Sequence, residues 1–200
     1  MGLVHRLMIV AATSAFAAAA PAAAVTINFN TASGDNLAAL TIGAVTFTAP
    51  GATLYTTSFG NTPNGTRGLV GYDSGSTNFF PIRADVTGGT TTVSIDLGDN
   101  GEDADSLFLR LYDSGNVLLA TATDFIPGSF AGLKTLTASA PGVAYAVYGG
   151  VGVQGSSVYT DNFTYSVTAG VPEAATWTMM IAGVGLAGTA LRRRRTLAIA

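Results

Sequence analysis

Between residues 25 and 170 the apolar side chains return at every second position, and that period decides most of what the chain can fold into. Val93-Ser-Ile95-Asp-Leu97, Leu107-Phe-Leu109-Arg-Leu111, Val143-Ala-Tyr145-Ala-Val147 and Phe163-Thr-Tyr165-Ser-Val167 all alternate. A two-residue period places one apolar face on a β-strand and cannot make a stripe on a helix. Earlier strand candidates are Val25–Asn30, Val45–Thr48 and Arg67–Val70. Asp113-Ser-Gly115-Asn116, between the 107–111 strand and Val117-Leu-Leu-Ala120, reads as a hairpin turn. Glycine, threonine and Asn/Asp punctuation disfavour helices throughout this stretch. The expectation is an all-β domain, an antiparallel β-sandwich or jelly roll of roughly nine strands. Thr-x-Thr pairs at 46/48, 90/92, 121/123 and 135/137 follow no fixed period. This removes a solenoid, and with it a repeat-built threonine face of the ice-binding kind.

The two ends of the chain obey different rules. Met1 to Arg6 is a short basic start, Leu7 to Ala20 is apolar, and small residues follow at Ala22 and Ala24. These are the parts of a secretory signal peptide over residues 1–24, with the mature chain starting at Val25. From Ala174 to Leu191 eighteen residues pass without a charge, and Arg192, Arg193, Arg194 and Arg195 follow. As a helix, about 174–191 would be about 27 Å long, close to the thickness of a bilayer core. The arginines form a basic stop at 192–195 that holds the C-terminus in the cytoplasm. The organisation expected is a signal peptide (1–24), an ectodomain (25–170) and a tail (171–200) with one transmembrane helix.

Charge and missing residue types narrow the function. Residues 25–170 hold eleven acids against Arg67, Arg83, Arg110 and Lys134, a net charge of about −7. Such a surface repels phosphate backbones, so no nucleic-acid partner is expected. There is no cysteine, and the lone histidine, His5, lies in the leader. The mature chain thus lacks thiolate chemistry and the usual general base near neutral pH, and it is not expected to be an enzyme.

Five of the acids crowd into ten residues: Asp96, Asp99, Glu102, Asp103 and Asp105. Like charges at this density repel unless water or a cation neutralises them. Calcium takes six to eight oxygen ligands, which makes these five, with Asp161 as a distant sixth, candidate ligands for structural calcium. The alternative is a solvated acidic loop. Sugar binding would instead need exposed aromatics, for which Tyr72, Phe79, Phe80, Tyr112, Tyr148 and Tyr159 are candidates.

Pro172-Glu173, Trp177, Met179-Met180, the Gly183-Val-Gly185 step, Gly188 and the arginine run together resemble the PEP-CTERM tail. Ala174 stands where that tail usually has a second proline, and Thr196 to Ala200 extend past the arginines. The resemblance implies recognition by an exosortase, a membrane transpeptidase-like enzyme, acting at a sorting motif of Pro172, Glu173, Trp177 and Arg192 to Arg195. It implies a bacterial protein anchored in the inner membrane before processing, and then found on the cell surface or in the extracellular matrix. Asp96-Leu-Gly-Asp99, Asp103-Ala-Asp105 and Asp161-Asn162-Phe163 are similar to jelly-roll ectodomains found ahead of such tails. Those ectodomains suggest a carbohydrate-binding or adhesive role in exopolysaccharide and biofilm. The other reading is a purely structural bitopic surface protein with no ligand of its own.

Overall fold

The computed structural model describes residues 23–58, 67–75, 78–99, 103–128, 132–152, 157–167 and 180–188. Residues Ala22–Gly170 form one compact unit, and Met1–Pro21 with Val171–Ala200 form another.

The first unit is all-β and antiparallel. Its strands are β1 (Ala23–Ile27), β2 (Leu40–Ile42), β3 (Val45–Thr48), β4 (Thr53–Ser58), β5 (Arg67–Asp73) and β6 (Asn78–Phe80). They continue as β7 (Ile82–Asp99), β8 (Asp105–Tyr112), β9 (Leu118–Ile126), β10 (Lys134–Gly152) and β11 (Val158–Val167). Every strand proposed from alternation overlaps one of these, although β1 ends at Ile27 rather than Asn30 and β9 begins at Leu118 rather than Val117. The eleven among the described residues exceed the roughly nine expected because β2, β4 and β6 are short or lack a clean two-residue pattern.

Hydrogen bonding runs in the order β4-β5-β11-β7-β10-β8-β9, with β1 on β11, β3 on β7, β2 on β3 and β6 on β5. Two long strands, β7 and β10, make this one ladder into two faces. Arg83–Asp85 of β7 pair with β3 on one side and with the second half of β10 on the other. Thr90–Asp99 pair instead with β11 and with the first half of β10. The bend falls where the β7–β10 register shifts, between Ser139 and Tyr145. Gly89 (φ 89°) and Gly142 (φ 78°) sit at that bend in the left-handed region, which a residue with a Cβ enters only at a cost.

The bend closes the ladder onto itself. Phe47 of β3 meets Phe163 of β11 edge-on, ring centroids 5.4 Å apart, although these strands share no hydrogen bonds. Phe29 packs on Phe47 and Tyr148 on Phe163. Leu107, Leu109 and Leu111 join Val93, Ile95 and Leu97 in the same core, all but excluded from water. This is a sandwich with alternating inward faces, as the period required.

The 113–116 turn is the hairpin expected. The Asp113 carboxylate accepts the backbone N–H groups of Gly115 and Val117 at 2.8 Å, and Asn116 takes φ 63°. The absence of a repeat, however, does not leave the threonines scattered. Strand pairing lines up Thr26, Thr164, Ser94 and Thr137 in one outer row, and Thr92 with Ser139 in the next, linked by hydroxyl contacts of 2.8–3.0 Å.

In the second unit the described residues form one α-helix, α1, over 180–188, with Met180, Ile181, Val184 and Leu186 all exposed. Among the described residues no helix is long and apolar enough to cross a membrane. The rest of the expected 174–191 span and residues 1–22 of the expected 1–24 leader lie outside them, while Ala23 and Ala24 of that leader are part of β1.

Phe163 touches both faces of the sandwich and is fully buried. Phe163→Ala should therefore cost about 3–5 kcal/mol, read by denaturant unfolding of the 23–170 domain. A loss below about 1 kcal/mol would show that the two faces do not depend on this ring.

Candidate functional site

The carboxylates gather where β7 ends and β8 begins. Asp99 follows Val93, Ile95 and Leu97 at two-residue steps, so alternation turns it toward the interior, where it is fully buried. Asp105, the first residue of β8, is also fully buried, with β9 on one side and β10 on the other. Oxygens of Asp99, Asp103 and Asp105 lie within 4.8 Å of one another. The Ser157 hydroxyl donates to Asp99 Oδ1 at 3.4 Å.

Asp96 does not join them. It is an odd number of residues from Asp99 and points to the other face of β7. There it accepts the Thr135 hydroxyl at 2.6 Å and the Asn162 amide at 2.9 Å. Asp161 is buried on β11 beside a register shift between Thr160 and Phe163. That extra residue lets Thr160 and Phe163 both pair with inward positions, Leu97 and Ile95. Glu102 lies outside the described residues.

Three converging carboxylates suit a hard cation. Oxygens bound to one Ca²⁺ at about 2.3–2.6 Å stand at most about 5 Å apart, and a spread of 4.8 Å meets that limit. Ionised carboxylates held this close repel, and a divalent ion reverses the sign of that interaction.

Tyr159 sits over this end of the sandwich. It pairs with Gly98, and a Cβ there would come within 2.3 Å of the Tyr159 ring, so the ring occupies the space a side chain would need. Burial pushes the Tyr159 phenol up to about 12, and the negative charges of Asp161 and Asp99 add to the effect. Burial raises the Tyr148 phenol further still, in the same direction.

The candidate sugar-stacking aromatics need correction. Tyr148 and Tyr159 are fully buried and offer no face to a ligand, because strand alternation turns both into packed layers. Tyr112 is stacked on Tyr145 at 4.9 Å, and the Arg83 guanidinium caps Tyr145 from 3.7 Å. Tyr72 and Phe79 are half-buried and pack with Tyr55 and Val70 in a small satellite cluster. The sorting residues Pro172, Glu173, Trp177 and Arg192 to Arg195 lie outside the described residues.

Comparison with known proteins places a PEP-CTERM protein-sorting motif at residues 170–195, which takes in all seven of those sorting residues. No curated protein sequence matches the chain. Three solved structures are similar in part. One comprises the CBM22-1-GH10 modules of endo-1,4-beta-D-xylanase 10B from Clostridium thermocellum, complexed with xylohexaose. It is 16% identical with TM-score 0.42, covering 72% of this chain and 28% of that one. The K2 cleaved adhesin domain of Lys-gingipain is 13% identical with TM-score 0.47, covering 72% of this chain and 99% of that one. CsCBM6-3 from Clostridium stercorarium, in complex with cellobiose, is 16% identical with TM-score 0.37, covering 72% and 93%.

The raised tyrosines fix an alkaline limit. A phenol held neutral in the fold stabilises it fully below pH 10, its ordinary pKa, and that contribution is lost as pH rises through about 12. Stability should fall over this window, and Tyr159→Phe should make the fall shallower. Denaturant unfolding between pH 9 and 12 measures this. Equal slopes in the two proteins would mean that Tyr159 titrates as in the unfolded chain.

Proposed function

We propose that this PEP-CTERM chain is exported on its 1–24 leader, held in the membrane by residues 174–191, and handed to an exosortase. The enzyme acts near Pro172-Glu173 and leaves the 25–170 domain at the cell surface or in the extracellular matrix. There the domain works as a non-catalytic carbohydrate-binding or adhesive component of exopolysaccharide. The observation that carries this reading is the sorting motif over 170–195.

Physical features support the same order of events. Residues 180–188 are helical and present apolar side chains that water disfavours. The uncharged stretch ends at four arginines, which resist translocation. After the leader there is no histidine or cysteine, which favours binding over catalysis.

The ectodomain also carries a structural calcium in this proposal, with Asp99, Asp103 and Asp105 as its carboxylate ligands. Their convergence within 4.8 Å supports it, as does the full burial of two of them. Calcium would tie the end of β7 to the start of β8 and hold the sandwich rather than act on a substrate.

Surface material from an exosortase-positive host tests the sorting step. By mass spectrometry the mature product should begin at Val25 and lack Trp177 and the arginines. Full-length, membrane-integrated chain alone would leave a bitopic anchor that is never processed.

Calcium has its own measurement. A ligand bound only by the native state stabilises it by about 2.7 kcal/mol at a hundredfold excess over Kd. For a domain of this size the melting temperature should rise by roughly 5–10 °C between chelator and millimolar calcium. Asp99→Asn with Asp105→Asn should remove most of that rise. Superimposable melting curves for the unaltered domain would mean that the three carboxylates hold no ion.

A further inference from the structure

The outer face of β8, with its neighbours β9 and β10, carries a groove of about 540 Å³, within the usual range for ligand sites. Leu107, Leu109 and Leu111 of β8 point into the core, so Ser106, Phe108 and Arg110 point out. Register sets their neighbours. Phe125 and Val151 flank Ser106, Thr123 and Gly149 flank Phe108, and Thr121 and Val147 flank Arg110. The groove thus has the buried Phe108 ring in its floor, Pro81 packed over Gly149 beside it, and two apolar walls at one end.

Two properties of this surface are unusual in an isolated domain. Phe125 is 52% and Val151 66% exposed, one on either side of Ser106. Arg110 is exposed, with its guanidinium 4.7 Å from the Phe108 ring. Arg83 and Lys134 are each held by a carboxylate, of Asp85 and Asp124, but among the described residues Arg110 has no ion pair. In a domain of net charge about −7 this places one exposed cation in a groove whose lining also includes Asp124, itself paired with Lys134.

Resting on the carbohydrate-binding reading above, we infer that this groove binds a glycan carrying a carboxylate on some of its sugars. Phe125 offers an exposed ring face for the apolar face of a pyranose, as aromatic side chains do at wet interfaces. Ser106 and Thr123 supply hydroxyls that both donate and accept. Arg110 grips one carboxylate through its planar fork, and does so better than a lysine would. From Ser106 to Arg110 the floor runs about 13 Å at the rise of a β-strand, longer than one sugar ring. A peptide strand cannot extend β8, which is already hydrogen-bonded on both sides. A densely charged polyanion is disfavoured too, since the rest of the domain repels it.

Isothermal titration of the intact protein in neutral detergent micelles tests this, with a hyaluronan hexasaccharide, carboxylated on alternate sugars, against neutral cellohexaose. Hyaluronan should bind at least about tenfold more tightly. Arg110→Gln should remove that preference and leave cellohexaose unaffected. Phe125→Ala should weaken both by about tenfold. Both side chains are exposed, so unchanged melting temperatures will show that the variants fold. Equal affinity for the two glycans, insensitive to Arg110→Gln, overturns the acidic class. Glycan binding that both variants retain in full overturns the groove while carbohydrate binding stands. Silence of the unaltered protein across a glycan array overturns both.

Discussion

The contact between Phe47 and Phe163 is the one on which the rest of this sandwich depends. The two rings come from strands that never hydrogen-bond, so only the folding-over of the sheet brings them together. That folding is built into β7 and β10, each long enough to serve both faces and each turned at a glycine in the left-handed region. Backbone pairing alone would give a broad twisted ribbon. Burial of the alternating apolar faces converts it into a closed core, because each face is worth little until the other covers it.

The same closure creates the electrostatic problem at one end. Inward alternation carries past Leu97 to Asp99, and β8 enters the sheet with Asp105. A cation there would link the last turn of one long strand to the first residue of its successor in the chain. Tyr159 closes the other side of β7 at that end, over Gly98. Its raised phenol and the neighbouring acids belong to one low-dielectric environment, so the stability of this end should respond to pH and divalent ions together.

A domain without disulfides has to obtain its stability from packing, and among the described residues a dozen fully buried large side chains supply it. This leaves the outer surface open for other uses. One outer face carries rows of hydroxyls that satisfy one another, and another carries exposed apolar groups and a cation that do not. That contrast directs attention to the β8–β9–β10 groove, because unsatisfied surface is where a partner gains most.

Several features were decided by local pattern alone. The two-residue period around Val93, Leu107 and Phe163 requires strands, and Asp113 to Asn116 requires a turn, because both rules act within a few residues. The PEP-CTERM motif at 170–195 is likewise written in contiguous residues, since a sorting enzyme reads a short segment rather than a fold. Pairing decided the rest. Asp96 looked equivalent to Asp99 in the sequence, yet parity sends it to the opposite face, against Thr135 and Asn162. Tyr148 and Tyr159 looked available and are buried, while Phe125, which no motif singled out, stands exposed. The threonine rows have no period in the chain because their spacing comes from neighbouring strands. Register between distant segments is set by the burial of a whole face, and no local stretch of sequence encodes it.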